Sequence, residues 1–123
     1  MTIDIQQLDV SLTFVALCAG SLFFFVAWVG LLRGKLNVLR GDGGDPELFK
    51  RSRIHGNFIE NAPLFGMVLL AAELLGAHDF WLWLSVFAFF SGRAYHFVRY
   101  DEKDRGVGLA MTTLPATLLG LYV

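Results

Sequence analysis

From Val10 to Leu32 the chain contains no charged residue, only small hydroxyls, Cys18, Gly20 and Gly30 among apolar side chains. A helix over that stretch is long enough to cross a bilayer core about 30 Å thick, which takes roughly 20 residues. Three more apolar stretches follow within 123 residues. Four crossings with short connections therefore use nearly the whole chain and leave no room for a separate soluble domain. Hydrophobic residues make up 55% of the sequence and mean hydropathy is +0.56, well above a soluble globular average. The expected fold is all-α: an integral membrane four-helix bundle forming a single domain over 1-123, with helices at about 10-33, 46-75, 80-100 and 106-122. The first stretch is too long for a signal peptide, lacks a basic start and leads into no small-residue cleavage pattern. The lone Cys18 excludes an internal disulfide framework and reads as a small buried residue.

The net charge of -1 points to neither nucleic acid nor an acidic ligand, but the cations are segregated. Arg33, Lys35, Arg40, Lys50, Arg51 and Arg53 form one cluster, and Arg93, Arg99, Lys103 and Arg105 the other. With four helices, the first and third links share one side of the membrane. The positive-inside rule makes that side cytoplasmic and puts both chain ends opposite. Trp81 and Trp83, at the start of the third helix, mark an aromatic belt on the far side.

Turn and helix signals divide the chain. The run G-D-G-G-D-P at 41-46 cannot continue a helix. Asp45, Pro46 and Glu47 then supply an N-cap, a first-turn proline and an acid suited to the helix dipole. The second helix is longer than a crossing requires, so its first turns project into water or headgroups. Pro63 predicts a kink below Glu60, and Pro115 interrupts the last helix beside Thr112, Thr113 and Thr117. Gly20 and Ser21 are candidates for close helix approach. Glu73, near Gly76, His78 and Asp79, reads as a solvated or interfacial end residue.

The stretch R-I-H-G-N-F-I-E-N-A-P-L-F, Arg53 to Phe65, sets strong polar groups at the mouth of an apolar segment. Arg53, Asn57 and Glu60 are spaced i, i+4 and i+7 and share one helix face. An ionisable side chain at such a depth needs a partner or a ligand. On the polar pattern alone, a ligand site and an ion-pair network that fixes helix assembly are equally good accounts. In the third segment Arg93 recurs with Phe97 and Tyr100 at helical spacing, and Tyr95 with Arg99. His55 and His96 lack a second set of ligands with metal-site spacing.

These residues carry a resemblance. G-D-G-G, the R-x3-N-x2-E-x2-P pattern at Arg53, Asn57, Glu60 and Pro63, and G-R-A-Y-H at 92-96 resemble the MAPEG family, the membrane-associated proteins of eicosanoid and glutathione metabolism. The likeness spans nearly the whole chain and is strongest to small bacterial members. It implies a homotrimer in a bacterial inner membrane, with glutathione held as co-substrate between subunits and open toward the cytoplasmic leaflet. Carried over by position, Arg53, Asn57, Glu60 and Tyr95 are the implied glutathione contacts, and Arg33 and Arg105 the implied arginines near the thiol. Arginine can clamp a carboxylate bidentately, glutamate can pair with the ammonium, and asparagine can bond a peptide group. A guanidinium beside the sulfur favours the thiolate, the nucleophilic form. Attack on an apolar electrophile dissolved in the bilayer would follow, as in a microsomal-type glutathione transferase or peroxidase.

Two positions depart from the catalytic pattern. Asn61 stands where catalytic relatives often have tyrosine, and Arg99 stands where they have a second tyrosine on the third helix. The rival reading is a non-catalytic protein of the same fold that binds lipid or another small amphiphile. A small multidrug transporter resembles a dimer built around a glutamate in helix one, and this chain has no charge there.

Overall fold

The computed structural model describes residues 7–104 and 106–123. Among these there are four α-helices and no strand: α1 (Asp9–Leu36), α2 (Pro46–Leu74), α3 (Asp79–Val98) and α4 (Gly106–Tyr122). α1 runs past Arg33 to Leu36, because Asn37 closes it in the left-handed conformation. The amides of Asn37 and Val38 then bond the carbonyls of Gly34 and Arg33. α2 opens on Asp45, whose carboxylate accepts from the Leu48 amide at 2.8 Å, and continues through Pro63 without a break.

The core is aromatic. Phe14 of α1, Phe65 of α2 and Phe89 of α3 pack with ring centroids 4.7 to 5.1 Å apart, within the range where aromatic pairs add to plain burial. Leu69, Leu82, Val86 and Leu119 complete it from three helices.

α3 and α4 approach closely because Gly92 and Gly108 face each other. A Cβ on Gly92 would lie 2.7 Å from the Gly108 carbonyl oxygen, and one on Gly108 would lie 2.7 Å from that of Gly92. By contrast nothing among the described residues lies within 4 Å of a Cβ placed on Gly20, so within the chain the close approach falls on Gly92 and Gly108 and not on Gly20 and Ser21. The Thr112, Thr113 and Thr117 hydroxyls donate to the carbonyls of Gly108, Leu109 and Thr113.

Glu73 is a half-buried residue near the end of α2 with a specific role. Its two carboxylate oxygens accept from the Val10 and Ser11 amides at 3.0 and 2.9 Å. Leu8, the N-cap of α1, has no side chain able to do this. A carboxylate from α2 thus satisfies orphan donors at the positive end of α1.

The outward surface is strongly apolar. Phe23 is 80% exposed, Phe87 71% and Leu31 71%. Among the described residues α1 is the helix long and apolar enough to cross a membrane, and only 6% of its most apolar window is buried inside the chain. A core helix of a soluble protein would be mostly covered, so α1 presents its apolar surface to something outside this chain.

Candidate functional site

Arg53, Asn57 and Glu60 lie on α2 as their spacing requires, and together span about two turns of it. Arg53 Nη1 is 3.9 Å from Glu60 Oε1, at the outer limit of an ion pair, and the two side chains remain 47% and 59% exposed. Gly56 lies between them. A Cβ there would be 3.8 Å from Arg53 Nη1 and 3.9 Å from Glu60 Oε1, so the missing side chain leaves both charged groups accessible from the same direction. Asn57 is half-buried, and its backbone carbonyl accepts from Asn61 Nδ2 at 2.7 Å. Asn61 thus turns its amide back onto its own helix. Both charged groups keep unfilled hydrogen-bonding capacity.

Below Glu60 a groove of about 380 Å³ runs between α2 and α4, walled by Leu64, Phe65, Val68 and Ala116 with Thr113 and Thr117 beside them. A carboxylate therefore stands at the head of an apolar channel.

Tyr95 and Arg33 are bonded to other groups. Tyr95 donates its hydroxyl to Asp104 Oδ2 at 2.5 Å, and Arg99 bonds the same carboxylate at 3.1 and 3.3 Å. The Tyr95 hydroxyl and the Arg99 guanidinium hold the Asp104 carboxyl below its ordinary range. This triad fastens the α3–α4 link to the end of α3. Arg33 Nη1 donates to the Gly41 carbonyl at 2.6 Å and so clasps the α1–α2 link. Arg105 lies outside the described residues. Within one chain, then, Arg53 and Glu60 are brought together, Asn57 sits between them on the same helix, and Tyr95 and Arg33 are engaged elsewhere.

Other basic residues are also committed. Lys50 pairs with Asp101 at 2.6 Å, which raises its pKa, and lies over the Tyr100 ring. Arg51 pairs with Glu47, donates to the Trp28 carbonyl and covers the Trp28 ring at 4.9 Å. Among the described residues no cluster of His, Cys, Asp and Glu could hold a metal ion.

Arg93 belongs to none of these surface groups. It is 8% exposed, and it donates to Thr112 Oγ1 at 2.9 Å and to the Gly108 carbonyl at 3.3 Å. Its presence inside an apolar stretch was the available sequence signal, since a cation there must find partners. The identity of those partners depended on the Gly92 and Gly108 contact.

A family model described as the MAPEG family matches residues 11–123. The protein called inner membrane protein YecN of Escherichia coli strain K12 is 32% identical over 94 residues, covering 76% of this chain and 72% of the relative. Its counterpart in Escherichia coli O6:H1 strain CFT073 matches to the same extent.

Proposed function

The chain belongs to the MAPEG family, and from that premise we propose that it is a glutathione-dependent transferase or peroxidase of the bacterial inner membrane. The observation that carries this reading is the state of Arg53 and Glu60. They are opposite charges on one face of α2, 3.9 Å apart, about half exposed and open across Gly56. Charges left so weakly paired beside an apolar groove call for a zwitterionic ligand, because each would otherwise be desolvated without compensation. Glutathione offers a carboxylate for Arg53, an ammonium for Glu60 and a peptide group for Asn57.

The same exposure supports assembly as a homotrimer with the ligand between subunits. Glu60 on the outside of a single chain would face lipid, and a neighbouring copy covers it while supplying further contacts. Tyr95 and an arginine near the thiol would then come to the site across the interface. The four helices cross the membrane with the basic links on the cytoplasmic side and both termini opposite, as the segregation of lysine and arginine favours. The apolar groove below Glu60 suits an electrophile that enters from the bilayer, and the activated thiol is the attacking group.

The alternative, a non-catalytic protein of the same fold that binds a small amphiphile, is favoured by one observation: Arg33 is tied to the Gly41 carbonyl. Ultraviolet absorbance of the thiolate separates the two. Glutathione added to the detergent-solubilised oligomer at neutral pH is expected to give a thiolate band, lost in Arg33→Ala or in Arg105→Ala. A folded oligomer that gives no band is a binding protein and not a thiol-activating enzyme.

A further inference from the structure

On the opposite side of the bundle from Glu60, a groove of about 260 Å³ opens between α1 and α3, with Phe25, Phe58, Phe90 and Phe97 among its walls. Among the described residues Arg93 is the one charged residue that lines it. Two of its nitrogens are committed to α4, through Thr112 Oγ1 and the Gly108 carbonyl, but Nη1 is buried with no partner among the described residues. The other polar wall, Ser21, spends its hydroxyl on the Leu17 carbonyl. No carboxylate of the described residues forms an ion pair with Arg93. A guanidinium held in an aromatic groove with an unfilled donor and no counter-charge is an incomplete structure.

We propose that this groove binds an anionic membrane lipid, its headgroup on Arg93 and its acyl chains along the phenylalanine walls. Charge complementarity selects an anion, since no carboxylate among the described residues neutralises this fixed cation. Depth selects a lipid. Arg93 lies five residues before Val98, the end of α3, which places its Cα roughly 8 Å below the basic rim. Its acceptor Gly108 is only two residues into α4, roughly 3 Å from the same rim. The guanidinium therefore sits at the level where headgroups give way to acyl chains. The surface beside the groove matches such a tail, with Phe24 56% and Val98 76% exposed. The bonds to α4 hold the guanidinium in place before the lipid arrives, so little freedom is lost on binding. This site is separate from Arg53 and Glu60 and stands whether or not glutathione binds there.

The test uses the intact oligomer in bilayer discs containing phosphatidylglycerol and phosphatidylcholine, with retained lipid counted by native mass spectrometry. The native chain is expected to retain phosphatidylglycerol over phosphatidylcholine by about tenfold, the effect of one charge-assisted hydrogen bond. Two variants should each abolish that preference. Arg93→Gln removes the charge, and Ala94→Phe fills the groove from an exposed position that makes no bond to α4. If Arg93→Gln does not fold, Ala94→Phe decides alone, with helicity and oligomeric state as the controls. Equal retention of the two lipids, or a preference that survives Ala94→Phe, would overturn the assignment. So would a cross-link showing that a carboxylate of a second copy occupies Arg93.

Discussion

Gly92 and Gly108 meet backbone to backbone, each placed so that a Cβ would lie 2.7 Å from the other's carbonyl oxygen. The obstacles are main-chain atoms, which cannot rotate aside. Gly108→Ala must push α3 and α4 apart, and with them the Arg93 bonds to Thr112 and the Gly108 carbonyl. Overpacking of this kind costs about 1–3 kcal/mol. Unfolding of the solubilised protein in denaturant should show that loss, while Gly20→Ala, whose Cβ would meet nothing within 4 Å among the described residues, should leave stability equal or slightly improved.

Glu73 fastens the start of α1 to the end of α2. Glu73→Ala leaves the Val10 and Ser11 amides without their acceptor, a change that resembles the loss of an N-cap at about 1 kcal/mol. Hydrogen exchange at those two amides should accelerate. The Leu48 amide, capped independently by Asp45, should not change.

The number, order and approximate extent of the helices are legible in the sequence because each depends on local signals. Hydropathy marks their lengths, and the Asp45–Pro46 start and the glycine-rich link at 41–44 mark a boundary. The face shared by Arg53 and Glu60 is legible too, since helical spacing alone brings them together. What could not be read are contacts across the chain. Glu73 looks like any acid at a helix end until α1 is known to begin beside it. Gly108 looks less telling than Gly20 because only the packing decides which glycine faces another helix. Tyr95 illustrates the same limit from the other direction: its hydroxyl goes to Asp104, nine residues along, across a turn whose course spacing does not define.

The α3–α4 link carries a pH dependence whose sign follows from Asp104. Its carboxyl is held below its ordinary value, first by the Tyr95 hydroxyl and then by Arg99. A group with a depressed folded pKa contributes stability that is present above its unfolded value, about 3.9 for aspartate, and lost as pH falls through the folded value. The link should therefore hold unchanged from neutral pH down to about 4 and loosen below it. Backbone amide shifts of residues 100–104 followed through an acid titration would show this. Asp104→Asn should abolish the step and leave Tyr95 with a weaker acceptor at every pH.

The Arg53 and Glu60 pair separates ligand binding from structural support by the size of two effects. At 3.9 Å and about half exposed, the pair contributes little to folding, at most about 1 kcal/mol for ion pairs in contact with solvent. Glu60→Gln should then leave the denaturation midpoint nearly unchanged while weakening glutathione binding about tenfold or more, the scale of a lost charge-assisted bond. Arg53→Lys keeps the charge but not the planar fork, so its affinity should fall between those of the native chain and Arg53→Ala. Calorimetric titration of glutathione into the folded oligomer reads all three variants on one scale. Unchanged affinity together with a large loss of stability in Glu60→Gln would mean that Arg53 and Glu60 hold the helices together instead of holding a ligand.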